Sequence, residues 1–598
     1  MTTSASILPQ PRLVFYNAAT GDALSGGYVY TYVPSTTTPK TTWQDSGQVT
    51  PNSNPITLDA AGSALIYGAG SYQLTVTDSL GNNIAAYSGL TMDTLGGVAT
   101  VSTIAALRAL ATSVPLVWVQ GYYNEADGGE GMFVPGVAGR DNGGTIIVSS
   151  GGTYYRETGG APLNAFWFGT QGLADATTEL QNALNVGQVL LPGTITIAGN
   201  GITAVTGGIV GLGKGVSRIV STDASAANII EVIGTIPVQF SGFDYVSSGS
   251  KTGGAGIYMN GGGGTYDLAD CLFQDLRLSY WYNSIVTNAG SQWDVQTCDF
   301  IDHINAGLVV NNVVDSDSGD SEISACEFTS TNTTCAHILY IASGGLRIIN
   351  NKVNVGGVGI NLLFNGSTET GNLLITGNSI ENMTEDGIIL QRNTACTSVF
   401  SRVVITGNQL AVTAGAVSGA GAIVAHDASG FLRDLTITGN VIRVYPTNCV
   451  GMDINYVTNF VIDGNALDGP GGSNAATGIG VGSSASGKVG VNTYSGFNTN
   501  LSISGANNFY ERDVQTGSGT IVCGTSVATG LYQGTLAVTF PVGFSLGPTL
   551  GDVAGEVIGG PGIGINVLAQ SGTAATFQAT SFTNGGSVVF AWKAGGVI

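Results

Sequence analysis

Four carboxylates recur at a fixed spacing in the middle of the chain. Glu322 follows Asp294 by 28 residues, and Glu327 follows Asp299 by the same interval. If the chain repeats as a stack of layers, each pair lies on neighbouring layers about 5 Å apart, where repulsion raises one pKa and leaves the other group ionised. A general acid must hold its proton while a nucleophile or base is ionised, so the two groups need different pKa values. These four acids are therefore the predicted catalytic residues.

The separation of the two carboxylates decides which reaction they suit. About 5–5.5 Å within one pair suits a glycosidase that retains configuration, and about 6.5–9.5 Å, across the two pairs, suits an inverting one. Arg347 and Lys352 continue the two series one repeat later and are predicted to bind substrate. A solvated, ion-paired face is the alternative, because acids followed by cations at one offset also describe such a surface.

Aromatic residues cluster close to the first of these acids. Tyr280, Trp281 and Tyr282 are consecutive, and Trp293 directly precedes Asp294. Consecutive residues of a strand point to opposite faces, so the three neighbouring rings cannot all point inward. Because aromatic rings stack on the apolar faces of sugars, these four rings are predicted to bind substrate. The binding groove is placed on residues 271–355.

The acidic loop VVDSDSGDSE between the two repeats has two interpretations. It holds Asp315, Asp317 and Asp320 just before Glu322. Calcium binding is one interpretation and a solvated acidic loop is the other. Gly319 precedes the third acid, which departs from the EF-hand pattern.

A second polar patch follows later in the chain. His426 and Asp427 could act as acid or base in lyase-type cleavage of uronic acids, but a single surface histidine is often incidental. His303 and His337 are interpreted as incidental too. We predict no bound metal and no cofactor, since no CxxC spacing is present. One repeat earlier the patch contains Glu381, Glu385, Asp386 and Arg392.

These residues lie in a stretch, 238–509, in which one phrase keeps returning. It reads ITGNSI at 375–380, ITGNQL at 405–410, ITGNVI at 437–442 and IDGNAL at 462–467. With looser copies before it, the phrase repeats every 25–32 residues, which is the period of a solenoid. A second short strand follows each copy, and no helical periodicity intervenes. The sequence therefore predicts an all-β, right-handed, single-stranded parallel β-helix.

An asparagine recurs two places before the last apolar residue of each phrase. Stacked in a corner, such side chains can bond their own backbone and those of the coils above and below. Cys271, Cys298 and Cys326 are assigned to this position in earlier coils and are predicted to be buried thiols. The recurring asparagines are at 351, 378, 408, 440 and 465.

Composition excludes several functional classes. Only 10% of residues are charged, 92 are glycine, and the net charge is −21. An acidic chain with no basic stripe does not fit a ligand such as nucleic acid or an anionic membrane. The seven cysteines show no disulfide framework. No secretion signal is recognised in MTTSASILPQPRL, and no uncharged apolar run reaches the roughly 18 residues of a membrane span.

Four domains are predicted. Residues 1–98 form a small β domain, 99–165 a neck helix capped by Ser102 or Thr103 with a small β motif, 166–515 the parallel β-helix, and 516–598 a C-terminal β domain. Asp175 is expected to cap a helix that runs to about Leu184 and covers the open end of the solenoid. Strands flanking Asn584 and Gly585 are expected to pair as a hairpin.

Two stretches resemble known proteins. The run from VWVQGYYNEADGGEGMFV at 117 to NAFWFGTQGLADATTELQNALNVGQVLLPGTITI resembles the entry of pectate-lyase-like β-helices in bacteriophage tailspikes, and FYNAATGDALSGGYVYTY resembles particle-attachment modules of phage tail proteins. The resemblance implies a homotrimer in the virion tail that attaches to tail or baseplate proteins through its N-terminal domain. It also implies sugar recognition along the helix and a C-terminal domain for trimerisation or sugar binding.

The predicted function is recognition, and cleavage by carboxylate chemistry, of a bacterial surface polysaccharide such as O-antigen or capsule, during host attachment. The reaction would be glycoside hydrolysis or lyase cleavage. The alternative is a receptor-binding spike of the same fold without catalysis, and a purely structural spike is a third interpretation. The fold serves all three.

Overall fold

The computed structural model divides the chain into two compact units, residues 1–159 and 160–598. It describes most residues of both. Those outside the description are 1–5, 8–12, 18–19, 46, 93–97, 161, 206, 234–236, 250, 261–267, 269, 289–291, 312–320, 342–343, 367–369, 394–395, 414, 427–429, 431, 473–474, 483, 505–511, 524, 529–530, 540–552, 560–561, 571–573, 582–585 and 598.

The first unit begins with a small antiparallel sheet. Tyr28–Tyr32 forms a strand that buries Val29, as the alternating residues predict. Asp78 closes the predicted turn by accepting the backbone N–H of Asn82. The sheet contains, in order, Ile56–Thr57, Tyr28–Tyr32, Gly70–Thr77 and Asn83–Met92, and two short pairs join Ser6–Ile7 to Tyr67–Gly68 and Leu13–Val14 to Ser63–Ala64.

A five-stranded sheet and one short helix complete this unit. The helix, Ile104–Arg108, starts at the predicted cap, since Thr103 Oγ1 accepts the N–H of Ala106 at 3.1 Å. Its buried Ile104 and Leu107 pack in the core of the sheet. The strands are, in order, Ile146–Ser149, Gly152–Arg156, Gly131–Pro135, Val117–Val119 and Ala99–Val101.

The second unit is a parallel β-helix with three long sheets, which confirms the predicted fold. The first sheet contains Leu163–Asn164, Val189–Leu191, Gly207–Gly211, Val238–Ser241, Leu272–Gln274, Asp294–Gln296, Ser321–Ser324, Leu346–Ile349, Thr370–Thr376, Phe400–Thr406, Leu432–Arg433, Leu435–Thr438, Val457–Asp463 and Ser486–Val489. The second contains Thr194–Ile197, Arg218–Ser221, Asp244–Ser247, Arg277–Ser279, Asp299–Ile301, Glu327–Thr329, Lys352–Gly356, Ser379–Met383, Gln409–Val412, Val441–Val444, Ala466–Asp468 and Thr493–Ser495. The third contains Ile202–Ala204, Ile230–Val232, Ala255–Met259, Asn283–Thr287, Ala306–Asn311, Ala336–Ile341, Val358–Phe364, Ile388–Arg392, Gly421–His426, Val450–Asn455, Thr477–Val481 and Thr499–Ile503.

Inward side chains of the three sheets form one continuous apolar column, from Ala165 to Val489. Equivalent residues of neighbouring coils stack within it. The rings of Phe300 and Phe328, for example, lie parallel with centroids 4.4 Å apart. Stacking at the strand repeat buries large side chains without gaps.

The corner between the first and second sheets is almost constant in length. From the coil of Val238–Ser241 to that of Val457–Asp463, two residues join the two strands. The first of the two has positive φ in every such corner, as at Thr297, Ala325 and Gly377. The second points inward and is buried. The other two corners vary, so the differences in coil length arise there and the stacking of the first two sheets is preserved.

A row of buried asparagines runs up this corner, as predicted. Asn408 Nδ2 donates to the backbone oxygen of Ile375 and to Asn440 Oδ1, and Asn408 Oδ1 accepts the backbone and side-chain N–H groups of Asn378. Each amide therefore ties together three successive coils. The buried members of the row are Asn351, Asn378, Asn408, Asn440 and Asn465, and the partly exposed Asn492 continues it.

The sequence alignment misplaced one cysteine. Cys298 and Cys326 are buried in the asparagine position, as predicted, but Cys271 precedes the first-sheet strand Leu272–Gln274. In that coil Leu276 occupies the asparagine position, between the first-sheet and second-sheet strands. The error arose because Phe273 pairs with Val295 of the first sheet and not with an apolar residue of the second.

A helix, Thr177–Leu184, covers the start of the column. Asp175 is not the cap residue that the sequence predicted, because the N-cap position is Ala176, which makes no side-chain capping bond. Asp175 lies one residue earlier, and its Oδ1 accepts the N–H of Thr177. Leu180 and Leu184 are buried in the same core as the first coils. A 3₁₀ helix, Ala165–Phe168, precedes it. None of the helices in the described parts of the chain is long and apolar enough to cross a membrane.

The last strands form two antiparallel sheets. The expected hairpin is wrong: Ala574–Ser581 and Gly586–Val597 belong to different sheets, and Asn584 and Gly585 lie outside the described residues. Gly586–Val597 instead pairs along its length with the distant strand Arg512–Cys523. The sheets contain Arg512–Cys523, Gly586–Val597 and Val553–Gly559, and Thr525–Ala528, Leu531–Thr539, Ala574–Ser581 and Gly562–Gln570.

We expect Asn408→Ala to lower the free energy of unfolding by about 2–4 kcal/mol, because it leaves buried N–H and C=O groups of two neighbouring coils without partners. Urea unfolding followed by circular dichroism measures the change. Asn448→Ala, at an exposed position of the same solenoid, is the control and should change stability by less than about 0.5 kcal/mol. Equal stability of the two variants would contradict the role of the asparagine row.

Candidate functional site

The first predicted pair of acids is stacked on the first sheet. Asp294 pairs in register with Glu322, and Glu322 with Arg347. All three side chains point outward, because Val295 and Ile323 between them and the corner are buried. The repeat alignment therefore placed these residues correctly, one strand spacing of about 4.8 Å apart.

Asp294 differs electrostatically from its neighbour. Burial raises the pKa of the Asp294 carboxyl, the charge of Glu322 raises it further, and Arg347 opposes both. Glu322 has an ion pair with Arg347, whose Nη2 lies 3.3 Å away. Among the described residues no cation pairs with Asp294, and its one side-chain hydrogen bond comes from Gln296 Nε2 at 3.3 Å. One carboxylate is therefore charge-balanced, and the pKa of the other is raised.

Amide side chains lie beside this pair. Gln274 and Gln296 are partners in register on the adjacent outward row, and Ser324 continues that row. Amide and hydroxyl groups can both donate and accept hydrogen bonds, as sugar hydroxyls require. We call Asp294, Glu322, Arg347, Gln274 and Gln296 the acid–amide patch.

The second predicted pair lies on the second sheet and is ion-paired. Asp299 and Glu327 are partners in register. Asp299 contacts Lys214 Nζ at 3.2 Å and Arg277 Nε at 3.3 Å, and Glu327 contacts Lys352 Nζ at 2.7 Å. This is the ion-paired face that the sequence analysis kept as its alternative. The two pairs also lie on different sheets, so an acid and a base drawn one from each would face different directions.

Two of the predicted sugar-binding rings are not available to a ligand. Trp281 and Trp293 are both fully buried. Trp281 Nε1 donates to the backbone oxygen of Tyr245 at 2.9 Å. The rings of Trp281 and Tyr245 pack with their centroids 4.4 Å apart. The prediction was wrong for these two because a solenoid with a wide core can take a large ring inward at a corner, which strand alternation does not reveal.

The tyrosines on either side of Trp281 do reach the surface. Tyr280 is 52% exposed and Tyr282 is partly exposed. Both lie in the turn between the second and third sheets, whereas Asp294 lies on the first sheet. The structure therefore does not bring these rings to the acid–amide patch, and Tyr280 instead follows the second sheet, near Ile301.

A groove of about 490 Å³ on the second sheet was missed by the sequence analysis. Ala411 is the partner in register of Glu381 on one side and of Arg443 on the other, so a small side chain lies between two long ones. Tyr445 is 47% exposed at one end, with Arg443 over its ring at 4.9 Å from the centroid. Gln409, Thr413 and Val441 also line it. The repeat alignment could have found this groove, because Glu381, Ala411 and Arg443 each directly follow the last apolar residue of their phrase. We call it the second-sheet groove.

The later polar patch is only partly assembled. His426 Nε2 lies 2.6 Å from Asp453 Oδ2, a partner that the sequence analysis missed. Glu381 belongs to the second-sheet groove instead, and Asp386 accepts the N–H of Gly421. Arg392 binds the backbone oxygen of Cys396. Asp427 and the loop acids Asp315, Asp317 and Asp320 lie outside the described residues, and Glu385 precedes the third sheet.

Comparison with protein families gives one match. Residues 100–159 match the phage tail protein small four-stranded beta-sheet domain. This segment contains most of the five-stranded sheet of the first unit and its helix. The predicted resemblance to phage tail proteins is thus confirmed for this segment. No curated protein matches the chain.

Several solved structures of bacteriophage tailspikes are similar to the chain. The tailspike of Acinetobacter phage vB_ApiP_P1 is 13% identical, with a TM-score of 0.45 over 83% of this chain and 98% of that one. A tailspike of Acinetobacter baumannii bacteriophage Fri1, described as a capsular polysaccharide depolymerase, is 12% identical, with a TM-score of 0.39 over 84% and 98%. A mutant tailspike of E. coli bacteriophage HK620 in complex with a pentasaccharide is 12% identical, with a TM-score of 0.44 over 73% and 94%.

We expect His426 to titrate above the ordinary histidine value of about 6.5, because its hydrogen bond to Asp453 raises the pKa and outweighs partial burial. Any stability it contributes is then present at acidic pH and lost as the pH rises through the pKa of the folded state. NMR titration of ¹³C-labelled histidines measures the pKa, and the chain has only three histidines.

Asp453→Asn should bring the pKa of His426 down towards about 6.5. The control is Asp468→Asn, which removes an acid paired with Arg443 on the second sheet. An unchanged titration in Asp453→Asn would show that this hydrogen bond does not form in solution.

Proposed function

We propose that this chain is a phage tailspike that binds a bacterial surface polysaccharide and cleaves it at the acid–amide patch. The observation that carries the proposal is the stacked pair of Asp294 and Glu322, one carboxyl with a raised pKa and one balanced by Arg347. Glycoside hydrolysis needs one protonated and one ionised carboxyl group. The adjacent amides supply donors and acceptors for a neutral or weakly charged glycan.

In the proposed reaction, Asp294 is the general acid and Glu322 the nucleophile. Asp294 gives its proton to the glycosidic oxygen as the bond to the leaving sugar breaks, and Glu322 attacks the anomeric carbon. Water then releases the sugar from Glu322, with Asp294 acting as base. The separation of about 4.8 Å between neighbouring strands is close to the roughly 5–5.5 Å of enzymes that retain configuration.

Several observations support placement in a phage tail and a sugar ligand. Residues 100–159 match a phage tail domain, and the described surface offers two polar regions along one solenoid, the acid–amide patch and the second-sheet groove. Attachment to tail or baseplate proteins through the N-terminal domain, and assembly as a homotrimer, belong to the same proposal.

A receptor-binding spike without catalysis is the second candidate. It is supported by the ion pairs of Asp299 and Glu327, since cations balance both of these acids. In that case the second-sheet groove would be the site that binds the sugar, through Tyr445 and Arg443. The two candidates differ in whether the polymer becomes shorter.

We expect Asp294→Asn and Glu322→Gln each to slow cleavage by about 10²–10⁴-fold, because each removes one half of the acid and nucleophile pair. Incubation with a panel of purified capsular and O-antigen polysaccharides, followed by size-exclusion chromatography, measures chain length. The wild-type rate should fall as the pH rises through the raised pKa of Asp294, since the acid must carry its proton.

Glu327→Gln is the matched control, because Glu327 is an exposed acid in the neighbouring row whose partner is Lys352. It should cleave at close to the wild-type rate. If Glu327→Gln were the only variant to lose activity, the catalytic site would lie on the second sheet and not at the acid–amide patch. Polymers that bind but keep their length with every variant, wild type included, would establish the non-enzymatic spike.

We expect Tyr445→Ala to weaken glycan binding about tenfold, since an exposed ring that stacks on a sugar contributes about 1–1.5 kcal/mol. Isothermal titration calorimetry with a polysaccharide retained by the wild type measures the affinity. The control is Tyr16→Ala, which removes another exposed ring, from the first unit. Equal affinity of the two variants would show that the second-sheet groove does not bind the glycan.

A further inference from the structure

Three side chains that could bind a metal ion meet inside the solenoid. His303, Cys335 and His337 are all buried, and their ligand atoms lie within 4.8 Å of one another. His303 follows the second-sheet strand Asp299–Ile301, while Cys335 and His337 lie at the start of the third-sheet strand of the next coil. The cluster therefore joins two coils at the corner between these sheets.

The two imidazoles have no hydrogen-bond partner in the part of the chain that the structure describes. This holds for both ring nitrogens of His303 and of His337, although both side chains are fully buried. The rings pack edge to face, with centroids 4.8 Å apart. A buried donor or acceptor without a partner loses the hydrogen bond that water gives it in the unfolded chain, which destabilises the fold. Ordinary core packing leaves that loss uncompensated, and apolar residues at these two positions would avoid it.

We propose that His303, Cys335 and His337 bind a thiophilic transition-metal ion, with Zn²⁺ as the first candidate and Cu⁺ as the second. Imidazole nitrogen and thiolate sulfur are the preferred ligands of both ions. Zn²⁺ would take a fourth ligand such as water or a backbone oxygen, whereas Cu⁺ can be three-coordinate. The site is separate from the acid–amide patch and does not depend on the proposed function.

The backbone around the cluster is held in place by hydrogen bonds. Ser330 Oγ donates to the backbone oxygen of His303 at 2.9 Å and accepts the N–H of Asn332. Thr331 N donates to Asp302 Oδ1 at 2.9 Å. These bonds fix the turn that carries Cys335 relative to the coil that carries His303. A preorganised frame of this kind lowers the entropic cost of binding.

The geometry needs only a small adjustment to hold an ion. Ligand atoms around tetrahedral Zn²⁺ are about 3.3–3.6 Å apart, from Zn–N and Zn–S distances of about 2.0–2.3 Å. Since the ligand atoms of the three side chains lie within 4.8 Å of one another, the most distant pair must approach by up to about 1.2–1.5 Å. Gly356 lies directly against the His337 ring, so a side chain at that position would collide with Nε2 and displace this ligand.

Protonation of the three ligands is consistent with such a site. Burial lowers the pKa of His303 well below its usual value and that of His337 to about 4, so both rings are neutral and able to bind an ion. Burial raises the pKa of the Cys335 thiol, while the N–H of Gly357 opposes this. Binding would therefore release the Cys335 proton, and the bound ion would balance the thiolate charge.

The test is the metal content of the full chain. Because the site is buried, the ion must enter during folding, so the protein is expressed in minimal medium with added Zn²⁺ or, separately, Cu²⁺, which the reducing cytoplasm converts to Cu⁺. It is purified, dialysed against EDTA and measured by mass spectrometry of the elements. We expect about one ion per chain in the wild type and less than about a tenth in Cys335→Ser and His337→Leu.

Cys449→Ser is the matched control, because it replaces another buried, free thiol of the same solenoid and should retain the ion. Expression with Co²⁺ gives a second readout, since thiolate ligation produces a charge-transfer band that Cys335→Ser should abolish. Retention of copper but not zinc upholds the site and selects Cu⁺. A wild-type protein free of metal in every medium, or an ion that survives both Cys335→Ser and His337→Leu, overturns the proposal.

Discussion

The stacking of one coil on the next, in register, is the constraint on which the rest of this molecule depends. Parallel strands supply the backbone hydrogen bonds, but these would allow one coil to slip past another. The buried asparagines prevent this, because each amide binds groups of the coils on both sides. Chains of such bonds polarise one another. With the register fixed, outward residues at one offset become neighbours in space, whatever their chemistry.

Because the register is fixed, the charged residues at one offset in successive repeats determine the charge pattern of the surface. The chain carries a net charge of −21, yet its acids on the second sheet sit beside Lys214, Arg277 and Lys352. Repulsion along a row is thereby relieved wherever a cation follows. Asp294 is different, since it is partly buried next to Glu322 and has no ion pair in the described structure. Perturbed pKa values concentrate at functional sites, so the state of Asp294 supports its place in the proposed site.

Much of this arrangement could be predicted from the repeat alone. The phrase ending in an apolar residue located the second-sheet strands, the asparagine row and the stacking of Asp294 on Glu322. The alignment failed at Cys271, where an earlier coil departs from the phrase. It also failed for Trp281 and Trp293, because a corner can turn a large ring into the core. The contact of His426 with Asp453 joins two neighbouring strands of the third sheet, which the phrase alignment did not cover. The cluster around His303 joins two sheets and depends on corner geometry that no single-sheet alignment contains.

The unequal corners of the solenoid have an evolutionary consequence. Between the first and second sheets the chain almost always uses two residues, a left-handed one and a buried one, whereas the other corners differ in length from coil to coil. Insertions and deletions at those variable corners leave the asparagine row and the core untouched. A gene for such a chain can therefore acquire new surface loops, or exchange whole coils with a relative by recombination, and still encode a stable column. Recognition can diversify quickly on a scaffold that hardly changes.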